Sequence, residues 1–342
     1  MFFECSEGTL ASRRQASRRT EEKLFCRRPF VLDWVVIPSP ARGLTVGSGA
    51  FSGCGQLGAV MTTDLAAWCE IEFADSEANP LSHAGKLYAT KMVNKLIVPD
   101  GVGKIGSYAF SGCSLTNVVL SATVTNIMVG AFYNCNDLAS VAIPDSVTSI
   151  GPSSFCWCSG LTSVTIPDGV TNIGDSAFLY CYGLTSVMIP DSVTSIGNYT
   201  FKGCSGVTSV MIGNGVTNIG SATFSDCRSL KSVTIGNGVT SIGTSAFSGS
   251  GLTSVTFGNC VTNIGVYAFR NCRGLTNLML PDTVVTIEEC AFDGCSGITG
   301  VTIPGSVTSI GAYAFRGCSG MTNITIPNSV MNIGNGAPSK AR

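Results

Sequence analysis

Sixteen cysteines and one histidine are the residues of this 342-residue chain with the most chemistry to offer. Ten cysteines stand three residues after a phenylalanine: Cys54, Cys113, Cys135, Cys158, Cys181, Cys204, Cys227, Cys272, Cys295 and Cys318. Ser250 takes that place once. A zinc site needs paired Cys-x-x-Cys clusters with histidine, whereas these cysteines are evenly periodic. Neighbours in a stack could come within disulfide reach, but a row of small buried thiols is the simpler expectation. Cys5, Cys26, Cys69, Cys156, Cys260 and Cys290 fall outside the row. Cys156, two residues before Cys158 of the row, makes with it the pair whose chemistry would matter most, and packing is expected there too.

Catalysis is disfavoured. His83 stands alone, so no triad with a repeating partner and no multi-histidine metal site can be built, and an exposed loop position is expected for it. Asp145, Asp168 and Asp191 each follow a proline at a fixed repeat position, where turn chemistry explains them. No catalytic residue, metal or cofactor is expected, and the chain is read as a non-enzyme. A net charge of −1 leaves no nucleic-acid footprint. No apolar run reaches the ~18–20 residues of a membrane span.

The elements that must position these residues repeat every 23 residues. The unit reads Leu-x-x-Val-x-Ile-Pro-Asp-Ser/Gly-Val-Thr-Ser/Asn-Ile-Gly-x-x-Ala-Phe-x-x-Cys. Compare Leu161 to Phe178 with Leu184 to Phe201. A short period of this kind means a solenoid in which each unit buries its apolar face on the next. Val-x-Ile alternates as a short strand with one buried face. Pro-Asp-Gly and Pro-Asp-Ser form a turn. Val-Thr-Ser-Ile is a second short extended segment, with Val and Ile inward. Gly-x-x-Ala-Phe-x-x-Cys is expected to be a single helical or 3-10 turn. The phenylalanines from Phe110 to Phe315 should then form one aromatic spine.

The period divides the chain. Residues 1–31, rich in arginine, are expected to be a disordered tail or the product of a misplaced start. Residues 32–60 hold degenerate repeats, and 61–92 an insert that breaks the rule. Residues 93–336 are regular repeats of 22–23 residues, and 337–342 are a tail at a truncated end. In the insert, Thr63 to Trp68 looks like a capped short helix. The insert is either a binding loop or a plug covering the stack. In the second case Trp68, Phe73 and Tyr88 are core anchors.

The outward side of the first strand is the best candidate for a partner-binding face. Its rows include Ser163 and Thr165, Ser186 and Met188, Ser209 and Met211, Ser232 and Thr234, and Ser254 and Thr256. This is a flat, nearly uncharged ladder in which Met188 and Met211 should be neighbours and form an adaptable apolar patch. Ser and Thr also simply suit exposed strands.

The 23-residue unit, with Leu-x-x-Val-x-Ile-Pro and Ile-Gly-x-x-Ala-Phe-x-x-Cys intact in most copies, resembles the BspA-like leucine-rich repeat proteins. The resemblance covers roughly nine-tenths of the chain, and the insert from Thr63 to Tyr88 resembles one common in that family. It implies a right-handed, curved leucine-rich-repeat solenoid with a parallel strand ladder. It also implies a secreted or cell-surface, virulence-associated protein that adheres to protein or glycan partners. The alternative is a structural stalk with binding elsewhere. An uncapped strand around Ile324 to Ile326 is expected to promote self-association.

Overall fold

The computed structural model describes residues 34–37 and 44–336. The expectations for the arginine-rich N-terminal segment and for the tail 337–342 lie outside the described residues. The chain divides into two compact units, at Leu161 and Thr162. Each is a solenoid built as a parallel strand ladder with almost no helix.

The first strand of the repeat alternates as its sequence dictates. In Ser186–Ile189, Ser186 and Met188 are exposed while Val187 and Ile189 are buried. It pairs in parallel with Ser209–Ile212, placing Ser186 opposite Ser209 and Met188 opposite Met211. The Pro-Asp turn follows, closed by Val193 N–H donating to the Pro190 carbonyl at 3.2 Å. A two-residue second strand comes next, as in Ser195–Ile196 and Asn218–Ile219, with the isoleucine inward.

The third segment differs from expectation. Gly-x-x-Ala-Phe-x-x-Cys forms neither an α-helix nor a 3-10 helix but an arch with two left-handed residues, one on each side of the phenylalanine. Tyr199 (φ 58°) and Gly203 (φ 72°) flank Phe201, and Tyr267 (φ 58°) and Asn271 (φ 59°) flank Phe269. A helix needs consecutive right-handed residues, so a left-handed residue every fourth position forbids it. The arch instead aims alternate amides at its neighbour. Tyr199, Phe201 and Gly203 N–H donate to the carbonyls of Ser221, Thr223 and Ser225 at 2.8, 2.9 and 2.8 Å. The intervening amides close turns within the repeat, as in Cys204 N–H to the Phe201 carbonyl at 3.2 Å. A helical turn would have spent these donors on itself. The arch adds a third hydrogen-bonded ladder to each stacking interface.

The core runs along these ladders. In the first unit Phe110, Phe132 and Phe155 stack with ring centroids 5.4 and 5.2 Å apart. In the second, the six steps from Phe178 to Phe315 lie between 5.2 and 5.4 Å, all within 10° of parallel. That separation is an offset stack, which the ring quadrupole favours over a face-to-face sandwich.

The insert closes onto the stack as a plug, with large apolar side chains buried. Asp64 caps the helix Leu65–Cys69, its Oδ1 accepting the Ala67 N–H at 3.0 Å. Trp68 and Phe73 are fully buried, with ring centroids 5.9 Å apart, and Tyr88 is half-buried. Between regular repeats, the Ala carbonyl of one arch accepts the Phe N–H of the arch before it, as Ala131 accepts from Phe110 at 2.8 Å. At Ala109 that donor is replaced by side chains of the insert. Trp68 Nε1 donates to the Ala109 carbonyl at 2.9 Å and Asn79 Nδ2 at 3.1 Å. Asn79 Nδ2 also reaches the Tyr108 carbonyl at 2.6 Å, while its Oδ1 accepts the Leu81 N–H at 2.9 Å.

Candidate partner-binding face

All ten outward residues, Ser163, Thr165, Ser186, Met188, Ser209, Met211, Ser232, Thr234, Ser254 and Thr256, are exposed, and all lie in the second unit. Eight of them form one ladder. Four parallel strands, Ser186–Ile189, Ser209–Ile212, Ser232–Thr234 and Ser254–Thr256, pair in register. Ser186, Ser209, Ser232 and Ser254 make one row, and Met188, Met211, Thr234 and Thr256 the other. Ser163 and Thr165 are not part of this four-stranded sheet. The two methionines are 65 % and 51 % exposed, so the apolar patch at Met188 and Met211 is real surface.

The Met/Thr row opens into a groove of about 580 Å3. Its far wall is the turn after each strand, where Asp191, Asn214, Asn237 and Asn259 occupy equivalent positions. Their side chains are tied together. Asp191 Oδ1 accepts the Asn214 N–H at 2.6 Å, Asn214 Oδ1 the Asn237 N–H at 2.8 Å, and Asn237 Oδ1 the Asn259 N–H at 3.0 Å. Gly213, Gly236 and Gly258 stand where other repeats carry proline or another residue. A Cβ on Gly236 would lie 2.4 Å from the Gly213 carbonyl oxygen, so only glycine allows the turns to approach this closely. The repeat motif gives the turn but not the groove that its Gly-Asn-Gly versions line beside the ladder. The signal was the loss of proline in three consecutive units.

The cysteine row is a packing device. Cys113, Cys135, Cys158, Cys181, Cys204, Cys227, Cys272 and Cys295 are buried thiols outside any disulfide, and Cys318 is a half-buried one. Each thiol with a described bond reaches back one repeat: Cys204, Cys227 and Cys295 donate to the carbonyls of Phe178, Phe201 and Phe269 at 3.2, 3.2 and 3.0 Å. Burial pushes the Cys227 thiol up to about 12 and that of Cys318 to about 11. Such thiols are neutral and poor nucleophiles. Outside the row, burial likewise raises Cys69 and Cys156 to about 12, while Cys260 is exposed. Cys54 departs from the expected free row because it is disulfide-bonded. At the degenerate end of the repeats its side chain is thus held by a covalent bond rather than by the stack alone.

His83 is also placed differently from expectation. It lies in the short helix Leu81–Ala84, and its side chain is only 16 % exposed, with Nε2 3.9 Å from Glu77 Oε2. The plug folds it inward. One charged cluster was not foreseen. Asp293 accepts Arg316 in a two-pronged pair, Nε to Oδ1 at 2.9 Å and a terminal guanidinium N–H to Oδ2 at 2.8 Å. Arg270 approaches from the other side at 3.3 Å. The two guanidinium groups stack over Tyr267 and Tyr313. The hydrogen bond from Arg316 holds the Asp293 carboxyl below its usual range. The three charged residues follow Phe269, Phe292 and Phe315 directly, a position that is neutral in most units, so their spacing of 23 was the available signal.

Among the described residues no group of three His, Cys, Asp or Glu side chains could hold a metal ion. None of the described helices is long and apolar enough to cross a membrane. No curated protein matches the chain. A solved leucine-rich repeat protein from Bacteroides ovatus is 25% identical, with a TM-score of 0.59 over 87% of this chain and 90% of that one. Another, from Eubacterium ventriosum, is 19% identical with a TM-score of 0.52, covering 91% of this chain and 86% of that one, a likeness of fold alone. The model of the BspA type leucine rich repeat region matches residues 85–208, 194–305 and 240–340. On that match, and on the ladder of parallel strands beneath it, the chain belongs to the BspA-type leucine-rich repeat family.

Proposed function

We propose that the chain is a non-enzymatic binding module that presents the outward ladder of its first strands to a protein or glycan partner, in a secreted or cell-surface setting. Leucine-rich repeat proteins generally bind rather than catalyse, and membership of the family supports an adhesive role. The observation that carries the reading is the in-register pairing of exposed Met188 with exposed Met211 on a sheet whose opposite face is buried. Large apolar side chains kept on the surface at matched positions suit a contact patch. The ten residues from Ser163 to Thr256 are the proposed contacts.

The test is capture of surface and matrix components by the full chain and by a variant with those outward residues scrambled and the inward ones kept. Saturable capture lost in the variant supports the reading. Equal capture by both chains sinks it and favours a spacer role, for which the identical row Ser186, Ser209, Ser232 and Ser254 is the supporting feature. Self-association is proposed through the strand Asn323–Thr325, whose Asn323 and Thr325 are exposed. Sedimentation that stays strictly monomeric at rising concentration counts against it.

A further inference from the structure

We infer that the groove beside Met188 and Met211 takes a neutral, equatorially linked hexose polymer, running along the stack and across the strands. The inference rests on the binding-module reading and names the partner class for the same face.

Spacing is the first argument. The groove crosses four strands, from Met188 through Met211 and Thr234 to Thr256. Parallel strands lie ~4.8 Å apart, so three steps span about 14 Å. A pyranose in an extended, equatorially linked chain advances by about one strand spacing with each ring turned over relative to the last, so every second sugar meets every second repeat in the same way. A peptide laid in the same direction advances ~3.4 Å per residue and falls out of step at once. Nor do Ser209–Ile212 and Ser232–Thr234, at the centre of the groove, offer it a free edge, because each is paired on both sides.

Chemistry is the second. One wall is apolar thioether and the other a row of fixed amides. Because Asn214 and Asn237 each have Oδ1 engaged by the next repeat's backbone N–H, their Nδ2 groups are held in orientation. Asn214 Nδ2 also donates to Asp191 Oδ1 at 3.3 Å, and Asn237 is exposed. Oriented amide donors, threonine hydroxyls and an apolar strip suit the hydroxyl-bearing edge and the C–H face of a hexose. Charge is the third. The only ionisable side chains lining the groove are Asp168 and Asp191, at one end. With no cation present, a polyanionic glycan gains nothing there and is repelled at that end, while the carboxylates can accept sugar hydroxyls.

The experiment is calorimetric titration of the full chain with gluco-oligosaccharides of the β-linked cellulose series, from cellobiose upward, with hyaluronan as the anionic control. Affinity should climb with length and level off at about three to four sugars, where the groove is filled. Hyaluronan should not bind. Asn237→Asp keeps the acceptor for Asn259 but removes the donor, and should weaken binding about tenfold. Met211→Lys, on the exposed row, provides a second variant outside the amide ladder and should also weaken it. Hyaluronan binding as tight as the neutral series overturns the inference, as does affinity independent of length or untouched by both variants. Capture of a protein partner without any gluco-oligosaccharide binding overturns it while leaving the binding module standing. Capture of nothing by the ladder removes both.

Discussion

The Trp68 indole N–H donates to the Ala109 carbonyl at 2.9 Å, taking the place that a phenylalanine amide holds between regular repeats. A backbone bond of the stack is thus replaced by a side-chain bond where the stack meets the insert. Asn79 shares the same acceptor, so the junction has two donors on one buried oxygen.

Trp68→Phe should cost only about 1 kcal/mol beyond its packing loss, because Asn79 still holds the Ala109 carbonyl. Asn79→Leu should cost about 1–3 kcal/mol, since it orphans the buried Leu81 N–H. The double variant should lose more than the sum, because the oxygen is then unsatisfied. Denaturant titration of all three chains measures this, and strict additivity would contradict the shared-acceptor account.

The cysteine row should accept serine and refuse bulk. Ser250 already occupies a ladder position, 3.2 Å from Cys272 Sγ. Cys227→Ser should therefore change stability by no more than about 1 kcal/mol. Cys227→Leu should lose about 1–3 kcal/mol by overpacking. A thiol-specific reagent should label Cys260 in the native chain and leave Cys227 and Cys295 unlabelled until denaturant is added.

Alkali should destabilise the fold through the same thiols. Cys69 and Cys227 are pushed up to about 12 and Cys318 to about 11, against an ordinary value of 9.0. Above pH 9 the folded chain keeps protons that the unfolded chain has released. Their contribution is full below pH 9 and is lost as pH rises from there toward 12. Each such thiol contributes a slope of up to about 1.4 kcal/mol per pH unit in that window. Denaturation midpoints should hold steady from neutrality to pH 9 and fall beyond it, and a Cys227→Ser chain should fall less steeply.

The left-handed arch positions are a further point of weakness. Gly249 has φ 70°, and a Cβ there would lie 3.0 Å from Asp226 Oδ1. Gly249→Val should cost about 1–2 kcal/mol from backbone conformation, with the branched side chain adding to it. Thermal unfolding would register this as a lower midpoint, whereas an unchanged midpoint would mean that the arch relaxes.

Much of the architecture could be read from the period of 23 residues. The alternation of Val and Ile with Ser and Thr gives the strand and its inward face, and the fixed Phe and Cys positions give the spine and the thiol row, because stacking identical units places identical residues in contact. The exposed ladder from Ser186 to Thr256 follows from the same rule.

Tertiary structure decided what one unit cannot encode. Gly-x-x-Ala-Phe-x-x-Cys looks helical by spacing, yet its amides gain more from the neighbouring arch than from each other, so Tyr199 and Tyr267 take left-handed conformations that local preference opposes. Asn79 gave no sign of its role, because its value lies in the carbonyls of Tyr108 and Ala109, some thirty residues away. The groove beside Met188 exists only because Gly213, Gly236 and Gly258 come together in consecutive turns. The repeat determined what stacks upon what. The contacts between units decided which backbone each segment adopts, because a hydrogen bond across the stack can outweigh the conformation a segment would choose alone.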